Sequence, residues 1–578
     1  MKKQKKPSIW KPFIRFYTRF SIPWWMFVVS FILGITYTEV GLQLTQYTIS
    51  LNTGNLYNNV ILEYTLFTLL YCLISVGVNM FTNYGVGITT LNARKMVYGR
   101  ILHLSTPDFN RSTPSGYVSR ITADVPSAAS MITTLASTVT SIYSLVRYYM
   151  ILLEFNTELT MWLLLAVPLA IFTFWIVGRM QYSAQKRIYA ALNSMTAFFS
   201  EHLGAIKHTK ALTMEEEERK AGFEAIEKRF RADVFYGIMM CLAVTVNSIY
   251  TKCCTLILVF TGRNLINQGL LEKTALVTGD TYLSNVQKYL AENLTHYQDL
   301  KGVQGIIGPV TQITETPAEE IKRSTEMPEN CRDLKINNVV FSYDNDDKEI
   351  LHGITCTIPA GKKTAIVGNN GCGKSTLFKL LMRFYQPTSG SITYGDEDVN
   401  NIHMDEWRTS FGYVLQASPL FSGTIRENIL YGCKGEVSEE QLIAAAKAAN
   451  CYDFIMEFPE GFDKDVGEGG MRLSGGQRQR VAIARAIITS PEILLMDEAT
   501  ASLDVESDRL IWEAMQRVME GRTTLLIAHD MSAVMLADHV IVMNGGYVEA
   551  EGTPTELLRT SPTYREYVAL QTAKGAND

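Results

Sequence analysis

The chain has 578 residues, of which 47% are hydrophobic and only 19% charged, with a formal net charge of −5. It is too long for one hydrophobic core and too apolar for a protein that lives wholly in water. The weakly acidic balance lacks the basic footprint of a nucleic-acid binder, so nucleic acid is not expected as a partner.

The apolar residues are concentrated at the front, in a membrane domain expected over residues 1–310. Lys2, Lys3, Lys5, Lys6, Lys11, Arg15 and Arg19 precede the first apolar run. That run is long, Trp24 and Trp25 suit an interfacial belt, and no small-residue cleavage site stands out, so it reads as an uncleaved span rather than a signal peptide. In all, six spans are predicted, near residues 22–47, 60–88, 128–153, 158–180, 235–263 and 276–303. The polar stretches after the second and fourth keep a helical period and are too long to be structureless, so they are expected to project from the bilayer as helices. Arg94, Lys95, Arg100, Arg120, Lys186, Arg187, Lys207, Lys210, Lys228 and Arg229 lie in or beside them, whereas the opposite loops are short and poorer in basic residues. This asymmetry places both termini and the whole C-terminal part in the cytoplasm of a plasma-membrane protein.

The sixth span carries a polar stripe. Asn285, Lys288, Glu292, His296 and Asp299 recur at steps of three and four, and Glu39, Gln43 and Gln46 form a smaller stripe late in the first span. Ionisable groups at that depth are costly against lipid, so these residues, with Arg147 and Lys252, are expected either to line an aqueous pathway for polar cargo or to pair internally, as Lys288 and Glu292 could at i,i+4.

A linker over 311–331 leads into a second domain over 332–578, where short strands alternate with helical patterns. Here Gly368-Asn369-Asn370-Gly371-Cys372-Gly373-Lys374-Ser375 follows the apolar run Thr364-Ala365-Ile366-Val367 and precedes the helical Thr376-Leu377-Phe378-Lys379-Leu380-Leu381-Met382. This is the strand–turn–helix setting of a phosphate-binding loop, with Lys374 placed for the outer phosphates and Ser375 for magnesium. A second anion-binding feature is Ser474-Gly475-Gly476-Gln477, opening another helix. Beyond it Ile493-Leu494-Leu495-Met496-Asp497-Glu498 is an apolar strand closing on two acids, one suited to a metal and the other to polarising water.

Together these motifs resemble the ATP-binding cassette family over roughly residues 332–570. The resemblance implies that Tyr343 stacks on adenine and that Gln416 joins the magnesium to the membrane part. It further implies that Asp504 belongs to the nucleotide site and that His529 contacts the γ-phosphate, with Glu498, His529 and Gln416 the catalytic set. Ser375, Gln416 and Asp497 would hold Mg2+, and Gly368 through Thr376 would cradle ATP. Family knowledge also implies that Ser474, Gly475, Gly476 and Gln477 meet ATP bound to the opposite subunit's copy of the loop, so the chain works as one half of a homodimer or heterodimer. Ser418 to Ile429 resembles exporter-type cassettes. The implied architecture is an all-α six-span membrane domain with long helical extensions, fused to an α/β ATPase. By the same analogy a coupling helix sits at each tip, near Pro114 to Thr122 and Lys207 to Glu216. The expected function is ATP-driven export of amphipathic small molecules or peptides, with lipid flipping the alternative and an ATP-gated channel behind it.

The cysteines, Cys72, Cys241, Cys253, Cys254, Cys331, Cys356, Cys372, Cys433 and Cys451, show no ligand-like spacing and none falls in a predicted outer loop. Neither a disulfide framework nor a zinc site is expected. Cys372 stands apart, because modification inside the phosphate loop should block ATP.

Overall fold

The computed structural model describes residues 10–52, 58–163, 166–272, 275–319, 326–328, 332–343, 348–415, 419–497, 505–528 and 534–575. The chain falls into two compact units, residues 1–104 with 112–317, and residues 105–111 with 318–578.

The first unit is helical. In chain order it contains α1 (Trp10–Tyr17), α2 (Trp24–Asn52) and α3 (Asn58–Leu102), then, after the short α4 (Thr106–Phe109) that belongs to the second unit, α5 (Pro114–Ser119), α6 (Val125–Phe155), α7 (Thr157–Leu163), α8 (Ala166–Gly204), α9 (Ile206–Ala211), α10 (Glu215–Asn267) and α11 (Ala275–Glu315). Helices α2, α3, α6 and α11 pack as one group, and α8 runs along α10. Four stretches are long and apolar enough to cross a bilayer, Trp24–Leu51, Asn59–Leu102, Pro114–Phe155 and Glu215–Asn267. Among the described residues α11 does not reach that hydropathy, because Asp280, Asn285, Gln287, Lys288, Glu292 and Asn293 interrupt its apolar positions. The fourth predicted span, 158–180, is divided between α7 and the start of α8, and residues 164 and 165 lie outside the described set.

Much apolar surface on these helices stays open in the single chain. On α3, Leu62, Leu66, Leu69, Leu73, Val76 and Met80 form one stripe at alternating steps of four and three, and all are exposed. Such a stripe needs lipid or another chain against it.

The charges resolve differently from the local-pairing expectation. Arg147 on α6 grips Glu39 on α2 in a bidentate ion pair, Nε to Oε1 at 2.8 Å and Nη2 to Oε2 at 2.9 Å, while the Tyr143 hydroxyl donates to the same carboxylate at 2.6 Å. The Lys288–Glu292 pair does not form among the described residues. Lys288 instead lies 5.4 Å from the Tyr289 ring centroid, and Glu292 accepts from Ser141 at 3.5 Å. Gln43, Gln46 and Lys288 are exposed, and the buried Nδ1 of His296 has no hydrogen-bond partner among the described residues.

The first tip also differs. Thr113 caps a new helix with Pro114 in its first turn, and this α5 runs through a π-turn, Arg120–Asp124, into α6. The short helix that groups with the second unit is α4, capped by Ser105, whose side chain accepts from the Asp108 N–H. The second tip holds α9.

The second unit is built on strands β1 (Leu334–Phe341), β2 (Leu351–Ile358), β3 (Lys363–Gly368), β4 (Ser389–Tyr394), β5 (Glu397–Asp398), β6 (Phe411–Val414), β7 (Ile493–Asp497), β8 (Thr523–Ile527), β9 (His539–Asn544) and β10 (Tyr547–Gly552). One sheet is antiparallel, in the order β2-β1-β4-β5; the other runs β10-β9-β3-β8-β7-β6 and is parallel except at β10. The parallel strands are buried on both faces, which is why they read as continuous apolar runs. Ala365, Val367, Leu494, Met496, Leu526, Val540 and Val542 join a core with the helices of 425–487, while Ile366, Leu495, Leu525, Ile527, Ile541 and Met543 join another with the antiparallel sheet and the Lys374–Leu381 helix. A one-residue alternation thus feeds two cores.

Candidate nucleotide site

Parallel register brings the chemistry to one edge. Val414 pairs with Met496, Asp497 with Ile527, Ile366 with Ile527 and Gly368 with Met543, so β6, β7, β8, β3 and β9 all end together. Ligands in open α/β sheets bind at such carboxyl ends. Gln416, Glu498 with Asp504, and His529 follow β6, β7 and β8 respectively, but they lie outside the described residues.

The loop after β3 is shaped by three glycines. Gly368, Gly371 and Gly373 have φ of 153°, 82° and 103°, which favour glycine. A Cβ on Gly368 would also collide with the Met543 carbonyl oxygen, so the loop lies against β9 with no room for a side chain. Gly373 then caps the Lys374–Leu381 helix. Asn369, Asn370, Gly371 and Ser375 are exposed at the mouth, whereas Cys372, Lys374 and Thr376 are buried. Lys374 Nζ donates to the carbonyl of Gly368 at 2.7 Å and to that of Asn369 at 3.2 Å. A buried ammonium resting on two backbone carbonyls beside exposed amides and a helix N-terminus is a fit for a phosphate chain. Ser375 at the mouth and Asp497 at the end of β7 are the described residues suited to a hard cation, which takes oxygen ligands. Near them, burial and the Asp497 charge push the Tyr413 phenol up to about 12.

Tyr343 sits beside this loop, its hydroxyl 3.2 Å from the Thr376 hydroxyl and accepting from Lys379 Nζ at 3.3 Å. Its ring packs edge-on to Phe341 at 4.9 Å and to Tyr385 at 5.1 Å. The Tyr385 hydroxyl in turn accepts from the Asn110 amide at 3.1 Å, just beyond α4. Sequence reasoning missed Lys379 and Tyr385, since no local pattern marks either as part of a site.

Ser474 caps the Gly475–Ile487 helix in a reciprocal capping box, its Oγ accepting from the Gln477 N–H at 3.2 Å while the Gln477 side chain accepts from the Ser474 N–H at 2.9 Å. Ser474 is exposed and Gly476 buried, so the hydroxyl and the helix N-terminus face outward on a firm base.

A membrane bundle continued by a phosphate-loop ATPase defines a transport ATPase, and the comparisons with known proteins agree. Residues 24–288 match the ABC transporter transmembrane region, and residues 351–501 match the family described as ABC transporter. A multidrug resistance ABC transporter ATP-binding and permease protein of Lactococcus lactis subsp. cremoris is 32% identical over 84% of this chain and 82% of its own length. An ATP-dependent lipid A-core flippase of Syntrophus aciditrophicus is 31% identical over 83% of this chain and 80% of its own. Among solved structures, a bacterial Atm1-family ABC exporter with ATP bound superposes with a TM-score of 0.81 at 28% identity, covering 94% of this chain and 97% of that one. The chain belongs to the ABC transporter family, with the exporter fold of membrane helices and ATP-hydrolysing cassette in one polypeptide.

Proposed function

We propose that the protein is one half of an ATP-driven exporter, in which two chains enclose two nucleotides and use their hydrolysis to move an amphipathic small molecule or peptide outward across the plasma membrane. The observation that carries this reading is the pair of anion-binding features on one cassette: a complete phosphate cradle at Gly368–Ser375, and an exposed, fully capped helix N-terminus at Ser474. The second, exposed and already capped, suits the nucleotide of a partner chain. In this scheme Lys374 and the loop amides hold the phosphates, Tyr343 the adenine, and Ser375, Gln416 and Asp497 the Mg2+ ion. Glu498 orients the attacking water, His529 meets the terminal phosphate, and Asp504 completes the wall of the site. The cassette and both termini face the cytoplasm, as the Lys and Arg distribution supports.

Of the relatives named above, one is a multidrug resistance transporter and the other a lipid A-core flippase, at nearly equal identity, 32% and 31%, so likeness alone does not choose between the two cargoes. The half-exposed Glu39–Arg147 pair with its Tyr143 donor, and the exposed Gln43, Gln46 and Lys288, favour a cargo with polar groups. These residues are the proposed lining.

The test is steady ATPase of reconstituted protein alone, with drugs, with peptides and with added lipid. Glu498→Gln is expected to lower turnover by about a hundredfold or more while ATP binding persists. A cysteine at Ser474 should cross-link to one placed in the partner copy's phosphate loop when ATP is present. If no cross-link forms with ATP bound, the paired-cassette reading fails. Stimulation by lipid alone would transfer the function to lipid flipping.

A further inference from the structure

The helix that starts at the phosphate loop is closed with unusual care. Past Leu381 the chain turns at Arg383 in the left-handed region, φ 54°, with the Arg383 N–H donating to the Leu380 carbonyl and the Phe384 N–H to that of Lys379, both at 2.9 Å. The next carbonyls are taken by a short helix, Met404–Thr409. Trp407 Nε1 donates to the Leu381 carbonyl at 2.8 Å, Arg408 Nε to that of Met382 at 3.2 Å, and Arg408 Nη2 to that of Arg383 at 3.0 Å.

The same guanidinium also grips Glu319. Nη1 meets Oε2 at 2.8 Å and Nη2 meets Oε1 at 2.7 Å, a bidentate pair with side chains only 27% and 24% exposed, and the Arg408 group lies 5.3 Å from the Phe384 ring centroid. Bidentate, partly desolvated pairs of this kind hold geometry far better than open surface pairs. A second strap follows, the Met327 N–H donating to Glu406 at 2.9 Å.

Glu319 stands just beyond the last residue of α11. The end of that helix is itself held by arginines, with Arg15 on Glu315 at 2.7 Å and Arg100 donating twice to the Thr316 carbonyl, at 3.1 and 2.5 Å. Between positions 315 and 319, therefore, successive points of the chain are fixed by three arginines. The last of these, Arg408, simultaneously holds the far end of the helix whose first turn borders the phosphates.

We propose that the Glu319–Arg408 pair is a positioning contact that passes movement of the phosphate-loop helix along the chain into the end of α11. An α-helix of eight residues is stiff, so a shift at Lys374 carries the Met382 and Arg383 carbonyls with it. Arg408 must then either release its carboxylate or draw Glu319 along, and Glu319 lies only four residues along the chain from Glu315, the last residue of α11. Neither residue touches the nucleotide cradle, so the pair governs how binding is transmitted and not binding itself. The proposal rests on the transport reading above.

The experiment uses the full chain in phosphatidylcholine–phosphatidylglycerol vesicles, with a nitroxide at Leu270→Cys and distances measured between copies with and without Mg-ATP plus vanadate. Nucleotide affinity and basal hydrolysis are read in parallel. Glu319→Gln and Arg408→Gln are expected to keep affinity and basal hydrolysis within about twofold of wild type. The nucleotide-dependent change in the distance distribution should fall by about fivefold or more. Glu319→Asp should restore it, whereas the exchanged pair Glu319→Arg with Arg408→Glu should not, because a carboxylate at 408 cannot donate to the Met382 and Arg383 carbonyls. A wild-type response in Glu319→Gln overturns the proposal, as does a loss of affinity in step with the lost response, which would make the pair a simple brace of the cradle. If the wild type itself shows no change while binding Mg-ATP, the transport reading falls and this proposal with it.

Discussion

The cassette and the membrane unit bury their apolar residues in opposite ways. In the cassette, β7 and β8 are sealed on both faces, with Leu494, Leu495, Leu525 and Leu526 at most 2% exposed within a single chain. On α3 the equivalent residues are open, Leu73 at 73% and Val76 at 67%. The difference teaches where each fold gets its stability. The cassette is complete by itself, while the helices depend on a surrounding that the chain does not contain.

Paired truncations attack this contrast directly and carry the largest expected effect. Leu494→Ala leaves a cavity in a packed core and should cost roughly 2–5 kcal/mol of cassette stability in any medium. Leu73→Ala removes only lipid contact and should cost less than about 1 kcal/mol in vesicles. Denaturant titrations monitored separately for the two units measure both. Equal losses would mean that α3 is buried against a partner along this stripe.

The next effect concerns activity without stability. Lys374→Ala removes an ammonium whose bonds among the described residues run to the Gly368 and Asn369 carbonyls, so the cassette should stay folded while Mg-ATP affinity drops about a hundredfold or more. Titration with a fluorescent nucleotide, beside a melting curve, checks the two halves of that statement. Unfolding of the variant would show that the loop is part of the core and not a cradle set upon it.

The smallest effect sharpens the comparison through thiol reactivity. Burial pushes Cys356 and Cys451 up to about 12, so at pH 8 the thiolate is only about one part in ten thousand of each group. Maleimide labelling followed by mass spectrometry should find both unmodified in the folded protein at pH 8, with reactivity gained only on unfolding. Cys72 on α3 and Cys241 on α10 are exposed and should label first once the membrane is dissolved in detergent. Cys372, buried in the loop, should react slowly and more slowly still with ATP. Full labelling of Cys372 with unchanged ATPase would separate the thiol from the site.

What is legible in the sequence is whatever a local period encodes. Short apolar runs announce β3 and β7, the first closed by Gly368 and the second by two acids, and the glycines at 368, 371 and 373 announce the turn, whose positive φ values favour that residue. Contacts between distant residues leave no such trace. Glu39 and Arg147 are 108 positions apart and Glu319 and Arg408 are 89 apart, and nothing in either neighbourhood names its partner. The i,i+4 rule even points astray at Lys288, whose ammonium finds a tyrosine ring while Glu292 finds Ser141. The first tip is displaced because only family analogy, and no local pattern, put it near Pro114 to Thr122; Ser105 caps α4 a few residues before Thr113 caps α5.

One consequence lies in the capping box at Ser474. With its oxygen already accepting from the Gln477 amide, the hydroxyl hydrogen is left as the free end of the group. An approaching anion would therefore meet a donor whose oxygen was already placed when the helix formed. On the paired-cassette proposal, the contact with a partner's nucleotide would then cost little side-chain ordering each time it forms.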